Sequence, residues 1–152
     1  MHPIDVLAFG KLRLPPLKDL EKHYLGMLRT CARVEVMELT EGKGDVARAL
    51  KEEAEKLRPR IQASSCPVLL SPEGKLHNSE AFAAWLGQRL DRGDRPCFII
   101  GSSHGFDAAI KSEVKTQISL SPMTFPHELS RVLLLEQIYR ALQILRGGPY
   151  HK

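Results

Sequence analysis

The sequence predicts an α/β domain, a mostly parallel sheet flanked by helices. Two observations carry that expectation. The run Cys97-Phe98-Ile99-Ile100, bounded by Pro96 and Gly101, is too short and too continuously apolar for anything but a strand buried on both faces. Such runs also alternate with longer stretches whose apolar residues recur every three or four positions, as they do where helices cross over between parallel strands.

In chain order, Ile4 to Phe9 forms the first strand and Gly10 closes it. Pro15-Pro16 opens a helix, because proline fits the first turn, and Leu17, Leu20, Tyr24, Leu25 and Leu28 follow at helical spacing. Val34, Val36 and Leu39 alternate with Glu35 and Glu38 in a second strand with one wetter face, ended at Gly42-Lys43-Gly44. Asp45 caps a helix carrying Val46, Ala49, Leu50, Ala54 and Leu57, which Pro59 is expected to end. The charges Lys51, Glu52, Glu53, Glu55 and Lys56 read as the solvated face of that helix. Pro67 to Leu70 is a third buried strand and Ser71 to Lys75 its turn. Asn78 or Ser79 caps a helix with Phe82, Trp85, Leu86 and Leu90 on one side. After the strand at Cys97 come the turn Gly101 to Gly105, a short helix, a strand near Gln117 to Leu120, and the loop Ser121 to Pro126. A last helix runs from about His127 to Arg146, stopped by Gly147-Gly148-Pro149.

Composition sets the outer limits. A chain of 152 residues buries roughly 70% of its unfolded surface and folds without a disulfide or metal staple. It has no repeats or linkers, so residues 1–152 are read as one domain. The three cysteines, Cys31, Cys66 and Cys97, are far apart and lack His at ligand spacing, so no metal site is expected. No stretch reaches the ~18 apolar residues of a membrane span, and the first ten residues do not resemble an export signal. A cytoplasmic protein in a reducing compartment is expected. The net charge of +4 permits an RNA partner without requiring one. The basic residues Arg131, Arg140, Arg146 and Lys152, with His127 and His151, mark the C-terminal element as the face expected to meet phosphates.

The last helix is apolar over most of its circumference, with Val132, Leu133, Leu134, Leu135, Ile138, Tyr139, Ala141, Leu142 and Ile144. It must be covered on most sides, either by a second copy of the chain or by the core of its own domain.

The segments IIGSSHG, LSPMTFPHELSRVLLLEQIYRA and the terminal GGPYHK resemble the knotted SPOUT-class methyltransferases, and among them the ribosomal RNA large-subunit methyltransferase H family. The match covers essentially the whole chain in length and element order. The resemblance implies a C-terminal trefoil knot over about residues 95–152, S-adenosylmethionine as methyl donor, a homodimer, and methylation of N3 of a pseudouridine in large-subunit ribosomal RNA on the ribosome. Carried over by position, it implies donor contacts from Leu70, Gly101, Leu120, Ser121, Pro122, Met123, Thr124 and Phe125. Apolar walls from Leu70, Leu120, Met123 and Phe125 suit an adenine ring. One departure stands out: the family commonly has two adjacent glycines where this chain has Gly101-Ser102. GSSHG also lacks the GxGxxG spacing of a dinucleotide site.

For the chemistry, Arg140, Tyr150 and His151 are the candidates for substrate contact and proton handling, and His127 is expected to cap the last helix or hold the loop before it. A knotted methyltransferase acting on transfer RNA, and a non-catalytic ribosome- or RNA-binding module of the same fold, are the competing readings.

Overall fold

The computed structural model describes the whole chain, Met1–Lys152. In order the elements are β1 (His2–Phe9), α1 (Pro15–Leu28), β2 (Ala32–Leu39), α2 (Val46–Ala63), β3 (Cys66–Leu76), α3 (Ser79–Asp91), β4 (Pro96–Ile100), α4 (Ala108–Glu113), β5 (Gln117–Ser119) and α5 (His127–Leu145). The five strands lie in the order β2-β1-β4-β3-β5, and every pairing is parallel. Their carboxyl ends therefore open on one edge of the sheet, where α/β folds place their ligands.

The alternation of side chains along each strand divides the core into two layers. Ile4, Val6, Ala8, Val68, Phe98 and Ile100 face α1, α3 and α5, where they meet Leu28, Leu86, Leu134, Leu135 and Ile138. Leu7, Phe9, Leu69, Cys97 and Ile99 face the other way, onto Ala54 and Leu57 of α2 and Ile110 of α4. All five residues of β4 are buried, as its uninterrupted apolar run predicts. Two bidentate ion pairs brace the sheet and the α1–α5 layer. Arg95 holds Asp5 at 2.7 and 2.8 Å, and the buried Arg131 of α5 grips Glu21 of α1 while reaching Glu38 of β2 at 3.5 Å.

Asp45 and Asn78 cap α2 and α3 as expected, accepting from the Arg48 and Ala81 amides at 2.9 and 2.7 Å. Elsewhere the structure departs from the sequence reading. Helix α2 passes through Pro59 to Ala63. Pro59 and Glu55 are both exposed, so the carbonyl that loses its partner stays hydrated and the helix tolerates the proline. Within the charge run, Glu53 is buried, since it lies on the inner stripe between Ala49 and Leu57. Residues Ser71–Gly74 do not end β3 but bulge out of it, and Lys75 and Leu76 return to pair with Ile118 and Ser119. Gly74 allows this return, because a Cβ there would come within 2.6 Å of the Ile118 backbone.

Helix α5 is covered largely by its own domain: Leu134 and Ile138 are core residues. The apolar surface left open is on α1, where Leu28 alone is fully buried and Leu20 is 41% exposed. The expected basic face of the C-terminal element is also largely committed inside the molecule. Arg131 is ion-paired, and Arg146 donates to the carbonyls of Thr30 and Cys31 at 3.2 and 3.0 Å.

Candidate functional site

The carboxyl ends of β3, β4 and β5 converge on a cavity of about 320 Å³. Its walls include Leu70 from β3, Ile100 and Gly101 from the end of β4, and Ser119 and Leu120 from the end of β5. Of the eight residues expected to hold a donor, Leu70, Gly101, Leu120, Ser121, Met123, Thr124 and Phe125 line it, while Pro122 does not. Met123, expected as a wall, is 75% exposed and stands at the mouth. Parallel pairing accounts for the convergence: strand ends far apart in sequence, at Leu70, Ile100 and Ser119, meet only because β3, β4 and β5 run the same way.

The Gly101 turn is built for close approach. A Cβ on Gly101 would lie 2.7 Å from the Gly105 carbonyl oxygen, so the constraint comes first from the turn itself. Ser102 and Gly105 form an isolated antiparallel bridge, with the Gly105 amide donating to the Ser102 carbonyl at 2.9 Å. Across the cavity, the Ser71 hydroxyl and the Lys111 ammonium donate to Glu73 at 2.8 and 3.2 Å. These bonds hold the Glu73 carboxyl below the usual range. His127 also faces the cavity, at 3.9 Å from the Glu41 carboxylate. It is the first residue of α5 and makes no cap; Pro126 precedes the helix without a side-chain cap bond.

A second cavity, of about 500 Å³, shares the walls Leu70, Ser119, Leu120 and Phe125 with the first. Beyond them it is lined by Ser79 and Glu80 of α3, Gln137 of α5, and His151. The C-terminal tail is thus folded back rather than frayed, and one of its side chains borders the same partition as the Leu120–Phe125 loop.

Arg140, Tyr150 and His151 do come together, around a residue the sequence reading did not single out. Oε1 of Glu136 accepts from Arg140 Nε at 3.0 Å, Arg140 Nη2 at 2.7 Å and the Tyr150 hydroxyl at 3.1 Å. Oε2 of Glu136 takes the Gln137 amide at 2.7 Å. The Arg140 guanidinium also lies 4.8 Å over the Tyr150 ring, which packs edge-on against Tyr139. Arg140 Nη1 is 3.2 Å from His151 Nδ1, and His151 Nε2 is 2.9 Å from Glu80. Arginine only donates, so Nδ1 accepts; the ring's proton then sits on Nε2 and goes to Glu80.

The electrostatics sort these groups by role. Burial, reinforced by Glu136, pushes the Tyr150 phenol up to about 12, so it stays protonated and is a donor at neutral pH, not a base. The hydrogen bonds to Glu136 hold the Arg140 cation still more firmly charged. The His151 ring holds Glu80 below the usual carboxylate range. Glu136 could have been found by its position, four residues before Arg140 on one helix face; Glu80 had no sequence cue, being brought in from α3 only by the fold.

Comparison with known proteins places this geometry in context. Residues 2–151 match the family model described as "Predicted SPOUT methyltransferase". The chain is 37% identical over 154 residues to a ribosomal RNA large subunit methyltransferase H of Nitratidesulfovibrio vulgaris, covering 99% of both chains. It is equally identical over 157 residues to the protein of that name from Clostridium acetobutylicum, covering 98% of this chain and 99% of that one. Among solved structures, a methylase family protein from Neisseria gonorrhoeae aligns with 91% of this chain and 82% of its own at a TM-score of 0.52. At 9% identity that likeness concerns the fold alone.

Proposed function

The chain belongs to the SPOUT methyltransferase family, and from that premise we propose that it methylates N3 of a pseudouridine in large-subunit ribosomal RNA, with S-adenosylmethionine as donor. The relatives carry the name of a large-subunit ribosomal RNA methyltransferase, and the observation that carries the reading to this chain is the single cavity lined by seven of the eight expected donor residues.

The residues fit the donor. A cavity of about 320 Å³ lies within the roughly 300–1,000 Å³ of small-molecule sites. Leu70, Leu120 and Phe125 offer apolar walls to an adenine ring, and the backbone of the Gly101 turn and of residues 120–125 offers it hydrogen-bond partners. The bound donor supplies a methyl group activated on a sulfonium.

The target nitrogen is an imide and must lose its proton to become nucleophilic. If its pKa lies about two units above working pH, ionisation costs about 2.7 kcal/mol. Arg140, permanently cationic, offsets that cost beside the base. Tyr150, its hydroxyl held by Glu136, offers its ring for stacking, a role suited to an unstacked base. His151 takes the proton, its tautomer fixed by Glu80 in the way a carboxylate orients a catalytic histidine; Arg140 must release Nδ1 first.

A homodimer formed through the open apolar face of α1, about Leu17, Leu20 and Tyr24, would set the partner near Arg140 and Tyr150, since Tyr24 is close enough to both to raise their pKa values. The C-terminal knot belongs to the family reading. No helix is long and apolar enough to cross a membrane; a ribosomal substrate makes the cytoplasm the expected compartment.

Mass spectrometry of ribosomal RNA from cells with and without the gene tests the reading. The expected result is loss of one methyl group from a large-subunit pseudouridine. Loss from a transfer RNA instead would assign the chain to a different substrate.

A further inference from the structure

Glu53 is the buried side chain whose polar atoms the fold leaves without a partner. It is 3% exposed, and neither carboxylate oxygen makes a hydrogen bond. An unpaired buried acceptor destabilises a fold, and one that persists points to a use outside folding. The groups that face it are Ser102 and His104 of the Gly101–Gly105 turn, Glu41 beyond β2, and Lys56 on its own helix. Ser102 and His104 line the donor cavity; Glu53 stands behind them.

Ser102 is itself buried, and the hydrogen bond of its hydroxyl is a long one accepted from the His104 amide at 3.4 Å. The Ser102 hydroxyl is the donor that most lowers the Glu53 carboxyl against its burial, yet the two do not meet in good hydrogen-bond geometry. The turn that carries Ser102 is held by its bridge to Gly105 and by the long contact from the His104 amide, so a modest adjustment of the turn completes the pair.

We propose that Glu53 is a positioning residue of the donor site: its carboxyl accepts the Ser102 hydroxyl when the donor is bound, and that bond sets the Ser102–Gly105 turn against the adenosyl part of the donor. The inference rests on reading this cavity as the donor site. It also gives Ser102 a function where the family commonly has glycine. Burial, with Glu41, favours the neutral carboxyl, while Ser102, His104 and Lys56 oppose it; the neutral form keeps a carbonyl oxygen that can accept.

The test compares wild type, Glu53→Gln, Glu53→Leu, Ser102→Ala and the double variant Glu53→Leu/Ser102→Ala. Calorimetric titration with S-adenosylmethionine and with S-adenosylhomocysteine, which share the adenosyl group, is paired with thermal melts of the unliganded proteins. Glu53→Leu and Ser102→Ala should each weaken both ligands by about tenfold or more. The double variant should lose no more than either single one. Glu53→Gln, which keeps an acceptor, should stay within about threefold of wild type. Unliganded Glu53→Leu should melt at or above the wild-type temperature, because an unpaired carboxyl has given way to an apolar chain; a purely structural residue would give the opposite sign. Wild-type affinity in Glu53→Leu overturns the proposal, whatever its melting temperature. So does a loss confined to S-adenosylmethionine, which would mean that Glu53 acts by charge on the sulfonium, and so does simple additivity in the double variant. Wild-type protein that binds neither ligand overturns the donor-site reading and this proposal with it, whereas wild-type binding with an indifferent Glu53→Leu overturns this proposal alone.

Discussion

Replacing Glu136 with alanine removes the acceptor around which the tail is organised. Three donor atoms lose their partner at Oε1 and one loses Oε2. Stranding a fully buried charge costs about 3–5 kcal/mol, but the Arg140 side chain is 25% exposed, and water replaces part of the lost bonding. The expected destabilisation is therefore about 2 kcal/mol. For a chain of this length that lowers the melting temperature by about 4–8 °C. A domain with about 5–15 kcal/mol of stability remains folded after such a loss, so unfolding cannot account for any large change in rate. Single-turnover methylation of ribosomes lacking the modification, at saturating donor, should nevertheless fall by about 10²–10³-fold, because Arg140 and Tyr150 no longer have a fixed geometry at the reacting base. Glu136→Gln, which keeps one good acceptor, should fall between the two. A rate within about fivefold of wild type, with the melting temperature lowered as expected, would make the cluster a structural clasp and remove Arg140 and Tyr150 from the chemistry.

Other outcomes follow from the geometry. Gly101→Ala forces a Cβ towards the Gly105 carbonyl, so calorimetry should show donor affinity reduced by about tenfold or more; undiminished binding by the folded variant would put the donor elsewhere. Burial raises the Glu53 carboxyl, so the folded state holds a proton that the unfolded state releases. Wild-type stability relative to Glu53→Gln should therefore be greatest below the normal carboxylate range and fall as pH rises through the raised value; denaturant melts from pH 4 to 8 measure it, and a rise with pH would refute it. All three cysteines are buried, and burial pushes the Cys97 thiol up to about 12. Ellman's reagent at pH 8 should leave the native protein untouched and count three thiols after unfolding. Leu20→Glu places a charge on the open face of α1, where light scattering should show dimer converted to monomer; a wild-type monomer at micromolar concentration would refute the interface.

The strands were legible because each carries its burial in its own residues, as Cys97 to Ile100 does. Caps at Asp45 and Asn78 were legible for the same reason, since a capping side chain acts within three residues of itself. What depends on neighbours distant in sequence was not. Pro59 looks like a helix end until its surroundings prove to be solvent. Glu53 looks solvated because four charges flank it, although its spacing from Ala49 and Leu57 put it on the inner face. The arginines of the C-terminal element look free until Glu21, Glu136 and the carbonyls of Thr30 and Cys31 are brought to them. The donor role expected of Leu120 to Phe125 rests on resemblance to a family rather than on local physics, for nothing in that loop alone announces a ligand. Glu80 enters the site through the packing of α3 on α5, which no local pattern encodes.

The brevity of β5 has a consequence for time rather than for shape. Three residues hold that strand to the sheet edge, and its register is broken by the bulge at Leu70–Lys75. The loop from Leu120 to Pro126 is therefore moored firmly at one end, by the nineteen residues of α5, and lightly at the other. Segments with so few main-chain anchors open on their own, at a small fraction of the free energy of global unfolding. Amide exchange at Ile118 to Phe125 should accordingly be fast in the free protein and independent of denaturant, while the amides of β4, separated from β5 only by β3 in the same sheet, exchange only when the whole molecule opens. A ligand that bridges Leu70, Gly101 and Phe125 fastens the loose end, so the slowing of exchange in this one segment, read against an unchanged β4, becomes a clock for how long each donor molecule stays.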